Sequence, residues 1–148
     1  MRSDRIQYIS RYIEGYTGYR DLRDLEKVNI FIRDRLARVY KVLMNISGNA
    51  PPDVSSYFMM VTRLSNDIIN MLSMEYNRVR IEADLCDEVI ELDYKAVEIL
   101  NMVDKTIESI SGAPPLPIYR EYSFMLYRMV ARLKEILKRR REILGSRL

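Results

Sequence analysis

The densest group of ionisable side chains is the run IEADLCDEVIELD at residues 81–93, in which Asp84 and Asp87 stand three apart, as do Glu88 and Glu91. On a helix that spacing puts each pair on one face, and paired carboxylates are hard oxygen ligands of the kind that hold Mg²⁺ or Ca²⁺. Such a site needs a second ligand set on a facing element. Asp67 and Glu75, on the preceding segment, are not spaced as a matching pair. The run also fits a solvated face near a helix N-terminus, where the macrodipole favours negative charge. We therefore assign no metal ligand and expect no cofactor.

All-α nucleotide pyrophosphatases hold Mg²⁺ with carboxylate pairs on two facing helices, which keeps a carboxylate-metal hydrolase as a minor alternative. Other chemistry is thin. The 148 residues contain no histidine, which removes the Ser-His-Asp triad, the His-bearing di-iron site and the usual catalytic zinc sets. No GxSxG elbow, Walker loop or dinucleotide fingerprint is present, and Gly15 with Gly18 makes no phosphate cradle. Cys86 lies among carboxylates, which disfavour a thiolate, so it reads as an inert cysteine. The expectation is a protein that is not an enzyme.

Charge offers a second kind of chemistry. The net +3 conceals local charges of +4, 0, −7 and +6 over residues 1–46, 47–80, 81–111 and 112–148. Arg128, Arg132, Lys138, Arg139, Arg140 and Arg141 form a candidate contact for nucleic acid or another anion. Tyr119, Tyr122, Phe124 and Tyr127 lie in the same segment, and aromatic rings stack on bases. Against this, neighbouring helices of opposite charge select each other, and basic residues in a last turn complement the helix dipole. Nucleic-acid binding is the leading alternative.

Tyr16 and Tyr19 straddle Gly18 in a tight connection. They either cap the end of the core or, if exposed, mark a contact surface. The surrounding stretch, IEGYTGYRDLRDLEKVNIFIRDRLARVY (13–40), resembles the opening of small, uncharacterised prokaryotic helical proteins of archaeal type, in which a GYxGYR segment leads into a charged helix. The resemblance implies a helical fold and carries over no activity, cofactor or site. A fainter likeness, of RDRLARVYKVL (33–43), is to the helical half of GINS-type replication subunits.

The elements that must position these residues follow from the breakers. Gly and Pro cluster at 15–18, 47–52 and 111–117, with Gly145 outside, and cut the chain into long uninterrupted pieces. Steps of three and four link Leu25, Val28, Ile32, Leu36, Val39, Leu43 and Ile46, with Asp21 and Asp24 suited to the first turn. Phe58, Val61, Leu64, Ile68 and Leu72 continue the rhythm behind Asp53, a natural N-cap. A straight helix over 54–111 would span roughly 85 Å, so a kink or turn is placed near 77–84. Leu85, Val89, Leu92, Ala96, Leu100, Val103, Ile107 and Ile110 make the next stripe. A last helix opens at Pro117 and carries Tyr122, Leu126, Met129, Leu133, Ile136 and Ile143.

These stripes predict an all-α fold, an antiparallel four-helix bundle with a short N-terminal helix over 3–13, in one domain spanning 1–148. ISGNAPP at Ile46 and ISGAPP at Ile110 each follow one amphipathic helix and precede another. A shift of 64 superimposes the apolar stripes before these turns, and a shift of 69 sets MVTRL (60–64) on MVARL (129–133). The chain then reads as two hairpins, 20–80 and 82–145, possibly duplicated and packed about an approximate two-fold.

No apolar stretch approaches the roughly 20 residues that cross a bilayer. A lone cysteine and an opening without signal-peptide character point to the cytoplasm. Arginine in excess of lysine, one glutamine and no histidine lean towards a thermophilic source. Met59, Met60, Ile69, Met71 and Met74 lie partly off the stripe of their helix. The expected role is therefore a binding or scaffolding module that takes a protein partner or forms a homo-oligomer.

Overall fold

In the computed structural model, which describes residues 2–75, 80–112 and 114–145, the chain is all-α. The helices are α1 (Arg2–Ser10), α2 (Asp24–Ile46), α3 (Pro52–Ser73), α4 (Ala83–Ser111) and α5 (Leu116–Gly145), with a 3₁₀ turn at Ser47–Asn49. No strand occurs among the described residues. No helix among them is long and apolar enough to cross a membrane.

The apolar stripes are the core. Leu25, Val28, Ile32, Leu36, Val39 and Leu43 of α2 are buried, as are Phe58, Val61, Ile68 and Leu72 of α3. Val89, Ala96, Leu100, Val103, Ile107 and Ile110 follow from α4, and Leu126, Leu133, Ile136 and Ile143 from α5. Each buried Val, Leu or Ile is worth about 1.5–3 kcal/mol of transfer free energy. Ile90 and Val97 are also buried, off the α4 stripe. The reason is α1, which packs on α4 and gives that helix a second covered face.

Helix ends depart from expectation in small, explicable ways. α1 stops at Ser10 rather than 13, passing into turns in which the Ile13 N–H reaches the Ile9 carbonyl. Asp53 is not an N-cap. Pro52 occupies the first helical position, where its missing N–H costs nothing, and Asp53 follows it and pairs with Arg120. α5 begins one residue before Pro117. The break near 77–84 falls between the end of α3 at Ser73 and the start of α4 at Ala83, and residues 76–79 lie outside the described set.

α2 packs on α3 and α4, and α5 packs on the same two helices. Three contacts fix the register of α3 on α5: the Asp53–Arg120 pair, the edge-to-face rings of Tyr57 and Phe124 at 5.6 Å, and Asp67–Lys134 at 3.0 Å. Each joins a residue to one 67 positions later, so α3 and α5 run in the same direction. The Arg35–Asp104 pair joins α2 to α4 with nearly the same offset. This differs from the expected two-fold packing. A two-fold along the helices would set α2 diagonally from α4 and α3 diagonally from α5; instead α2 lies beside α4 and α3 beside α5.

Candidate functional site

The connection from α1 to α2 is held in left-handed backbone at Gly15 (φ +79°), Gly18 (φ +74°) and Tyr19 (φ +73°). For Tyr19, which has a Cβ, that conformation costs about 1–2 kcal/mol. It persists because the surroundings over-determine it. Asp24, fully buried at the start of α2, accepts hydrogen bonds at Oδ2 from the Thr17 N–H (2.9 Å), the Thr17 hydroxyl (2.7 Å) and the Tyr19 N–H (2.8 Å). Lys27 Nζ donates to the Gly15 carbonyl at 2.9 Å and pairs with Asp21 and Asp24. At Gly18 the positive φ is the main demand for glycine; a Cβ there would also stand 2.6 Å from Ile6 Cδ1, the end of a flexible side chain.

The loop thereby delivers two phenols into the end of the core. Both the Tyr16 hydroxyl, at 3.0 Å, and the Tyr19 hydroxyl donate to Asp93 Oδ2. Arg140 of α5 donates from Nη1 to Asp93 Oδ1 at 3.1 Å, and from Nη2 to Asn29 Oδ1 and to Glu75 Oε2. Asn29 Nδ2 donates to Glu75 Oε2 at 2.8 Å. Asp93 and Arg140 are fully buried. Five parts of the chain meet here: the 15–19 loop, α2, the residue pair after α3, α4 and α5.

Burial pushes the Asp93 carboxyl up from its ordinary range, opposed by Arg140 and by the hydrogen bonds from the tyrosines. Burial works against the Arg140 charge too, but Asp93 and Glu75 overcome it and hold the guanidinium above its usual value. Tyr16 and Tyr19 are driven well above the ordinary phenol range, by burial first and by Asp93 next. Glu75 Oε1 and Arg140 Nε have no hydrogen-bond partner among the described residues. Both oxygens of Asp93 are engaged, the phenols are held neutral, and the central pair has no solvent contact. The arrangement clasps the 15–19 loop, α2, α4 and α5 together.

The geometry decides between the two readings of Tyr16 and Tyr19, in favour of capping the core, and corrects the grouping of Arg140 with the surface cations. Tyr16 and Tyr19 are buried, so they are not a contact surface; their hydroxyls need Asp93, and their rings pack edge to face at 5.9 Å. Arg140 is removed from the basic surface because three helices enclose it. Of the others, Arg128 is exposed over the Phe124 ring, Arg132 and Lys138 are exposed, and Arg141 is half-buried. Arg139 is exposed and pairs with Glu88 at 3.0 Å and Glu142 at 3.5 Å.

The carboxylates of the 81–93 run are separated by their partners. Glu88 faces α5, Asp87 and Glu91 face Arg2 and Arg5 of α1 at 3.2 and 3.0 Å, and Asp93 enters the clasp. Among the described residues no group of three or more His, Cys, Asp or Glu side chains is placed to hold a metal ion. Sequence reasoning missed Asn29, Glu75 and Asp93 as members of one cluster. A signal for two of the clasp residues was present: Asp93 lies four after Val89, and Arg140 lies four after Ile136, both on apolar stripes. No family model matches the chain, and the searches of curated proteins and of solved structures found no match.

Proposed function

We propose that this chain is a non-enzymatic helical binding or scaffolding module that associates with copies of itself. The observation that carries the reading is a contrast in placement. The strongest polar constellation is sealed inside, whereas Met44, Met59, Met60, Met102 and Met125 stand exposed on outer helix faces and Met74 is exposed just past the end of α3. Methionine is flexible and polarisable, which suits adaptable apolar contacts. Ile69 and Met71, grouped with these at the outset, are half-buried against the core and leave the surface set.

The architecture that fits this role is a four-helix bundle in one domain, made of two internally antiparallel hairpins, over 20–80 and 82–145, that arose by duplication and lie side by side. In support, the start of α2 meets the segment after α3 through Asn29 and Glu75, and the start of α4 meets the end of α5 through Glu88 and Arg139. The spatial offset of 67 between α3 and α5 also lies close to the sequence offset of 69. Light scattering at tens of micromolar tests self-association. A mass at a multiple of 17.6 kDa is expected, and a monomer at every concentration overturns it.

A second reading is nucleic-acid binding along α5. Its specific support is that Arg128, Arg132 and Lys138 are exposed with no carboxylate partner among the described residues, so their charge is available to phosphates. A salt-dependent mobility shift of labelled RNA or DNA near physiological salt would support it, and no shift at micromolar protein would end it.

A further inference from the structure

Each of α2 to α5 packs on at least two other helices, whereas among the described residues α1 packs on α4 alone. Ile9 is the one buried side chain of α1. With nine residues α1 is shorter than the roughly 12–15 that an isolated helix needs in water, so its helical state depends on α4. What joins the two is a ladder of charge and aromatic contacts at the surface. Arg2 pairs with Asp87 at 3.2 Å and Arg5 with Glu91 at 3.0 Å, and all four side chains are more than a third exposed. The Arg5 guanidinium lies 3.7 Å over the Tyr94 ring, Tyr8 meets the same ring edge to face at 4.9 Å, and Asn101 Nδ2 donates to the Tyr8 hydroxyl at 3.1 Å. The partners follow in the same order along both chains, so α1 runs parallel to α4. Beneath the ladder lie Ile90 and Val97, both buried.

The loop that follows is held separately. Ile13, Tyr16 and Tyr19 are buried, the two phenols are bonded to Asp93, and Asp24 fixes the Thr17 and Tyr19 amides. None of these hydrogen bonds is made by α1. Arg11 and Tyr12, both exposed, connect the two parts. A change of backbone there lets α1 leave α4 while the clasp stays closed, and solvated ion pairs screened by salt are weak opposition to it.

We propose that the α4 face under α1 is a docking surface for a basic amphipathic helix of a protein partner, and that α1 is the strap covering it in the free chain. The face presents Asp87, Ile90, Glu91, Tyr94, Val97 and Asn101, which alternate carboxylate with apolar and aromatic groups. Its complement is a helix with Arg or Lys at its first and fourth positions, aliphatic residues at the fifth and eighth and an aromatic ring at the seventh. α1 presents that pattern itself, in Arg2, Arg5, Ile6, Ile9 and Tyr8. The proposal rests on the reading of the chain as a binding module and is independent of its self-association.

The test uses the full chain, its R2E/R5E variant and a fluorescent peptide with the sequence of residues 2–13. In R2E/R5E the strap meets Asp87 and Glu91 with like charge, and hydrogen exchange should show the amides of α1 opening faster while those of α4 and α5 keep their protection. In wild type, which needs no substitution, the same α1 amides should open faster as salt is raised. Because only the open fraction can bind, the peptide is expected to bind R2E/R5E about tenfold or more tightly than wild type. A peptide carrying the same two glutamates should bind neither. If α1 amides exchange no faster in R2E/R5E or in high salt, α1 is no strap. If they do open and the peptide still does not bind, the uncovered face is no docking surface. Either result overturns the proposal and leaves self-association to be judged by light scattering. Wild-type oligomers that fall to monomers in excess peptide would make the occupant α1 of a second copy, which overturns a separate partner.

Discussion

The two ends of the helical assembly use glycine and polar residues in opposite ways. At one end the GYTGY loop spends three left-handed residues to carry two phenols to Asp93. At the other, Gly48 and Gly112 have ordinary backbone angles, Gly112 at φ −75°, and the turns are made by a 3₁₀ segment and by Pro. The first end is specified by polar geometry, in which each group satisfies another. The second is specified mainly by helix termination, with one exposed ion pair, Asp53–Arg120, across it. Polar specification concentrates stability in few residues, and apolar termination spreads it over many.

Neighbouring arginines make the sharpest test of that contrast. Arg140→Met leaves Asp93 and Glu75 in the core without their counter-charge, an arrangement that costs about 3–5 kcal/mol. For a chain of this size that corresponds to a fall in Tm of roughly 10 °C or more. Arg139→Met, one residue away and exposed, removes partly solvated pairs to Glu88 and Glu142 and is expected to lie within the scatter of surface substitutions. Urea unfolding followed by circular dichroism reads both. Equal effects at the two positions would show that the clasp is not where stability is concentrated.

The same cluster predicts a particular pH dependence. Tyr16 and Tyr19 have folded-state pKa values above the unfolded value of about 10. Their contribution is therefore complete below pH 10, and it is lost as pH rises from there towards the folded values. Each contributes a slope of about 1.4 kcal/mol per pH unit, so together they remove roughly 2.7 kcal/mol by one unit above pH 10. In Tyr16→Phe/Tyr19→Phe that alkaline slope should flatten, with a lower plateau at neutral pH because Asp93 loses two donors. Unfolding free energies between pH 8 and 11 test this. An unchanged slope in the double variant would place the alkaline sensitivity elsewhere.

These residues also mark what was legible in the sequence. The stripe from Leu25 to Leu43 identified its helix and its buried face, because a 3.6-residue period with one apolar side has a single compact solution. Asp93 and Arg140 interrupt such stripes, and a charge on an apolar stripe carries two meanings that periodicity cannot separate. It either ends the buried face or finds its counter-charge on another helix. Choosing between them needs α4 and α5 placed together, a contact spanning 47 positions. Arg140 belongs to KRRR, a run that goes around the helix, and composition is blind to which of the four points inward. The hairpin order is equally hidden, since matching apolar stripes offset by 64 to 69 residues fit a two-fold and a side-by-side arrangement alike. Only contacts such as Tyr57–Phe124 distinguish them.

The smallest effects compare glycines directly. Gly18→Ala meets two obstacles, a φ of +74° that disfavours any Cβ and an approach of 2.6 Å to Ile6 Cδ1. The Ile6 side chain is flexible and can move aside, so the backbone strain dominates and the loss is about 1–2 kcal/mol. Gly48→Ala meets nothing within 4 Å and sits in a 3₁₀ turn at ordinary φ. There the new methyl group restricts the unfolded chain without straining the folded one, for a gain of about 0.4–1 kcal/mol. The two substitutions are chemically the same and should move Tm in opposite directions. If both lower it, the turn after α2 demands glycine for a reason its backbone does not reveal, and the two ends differ less than their geometry implies. If neither does, the left-handed loop relaxes without Gly18, and Asp24 with its three hydrogen bonds holds that end by itself.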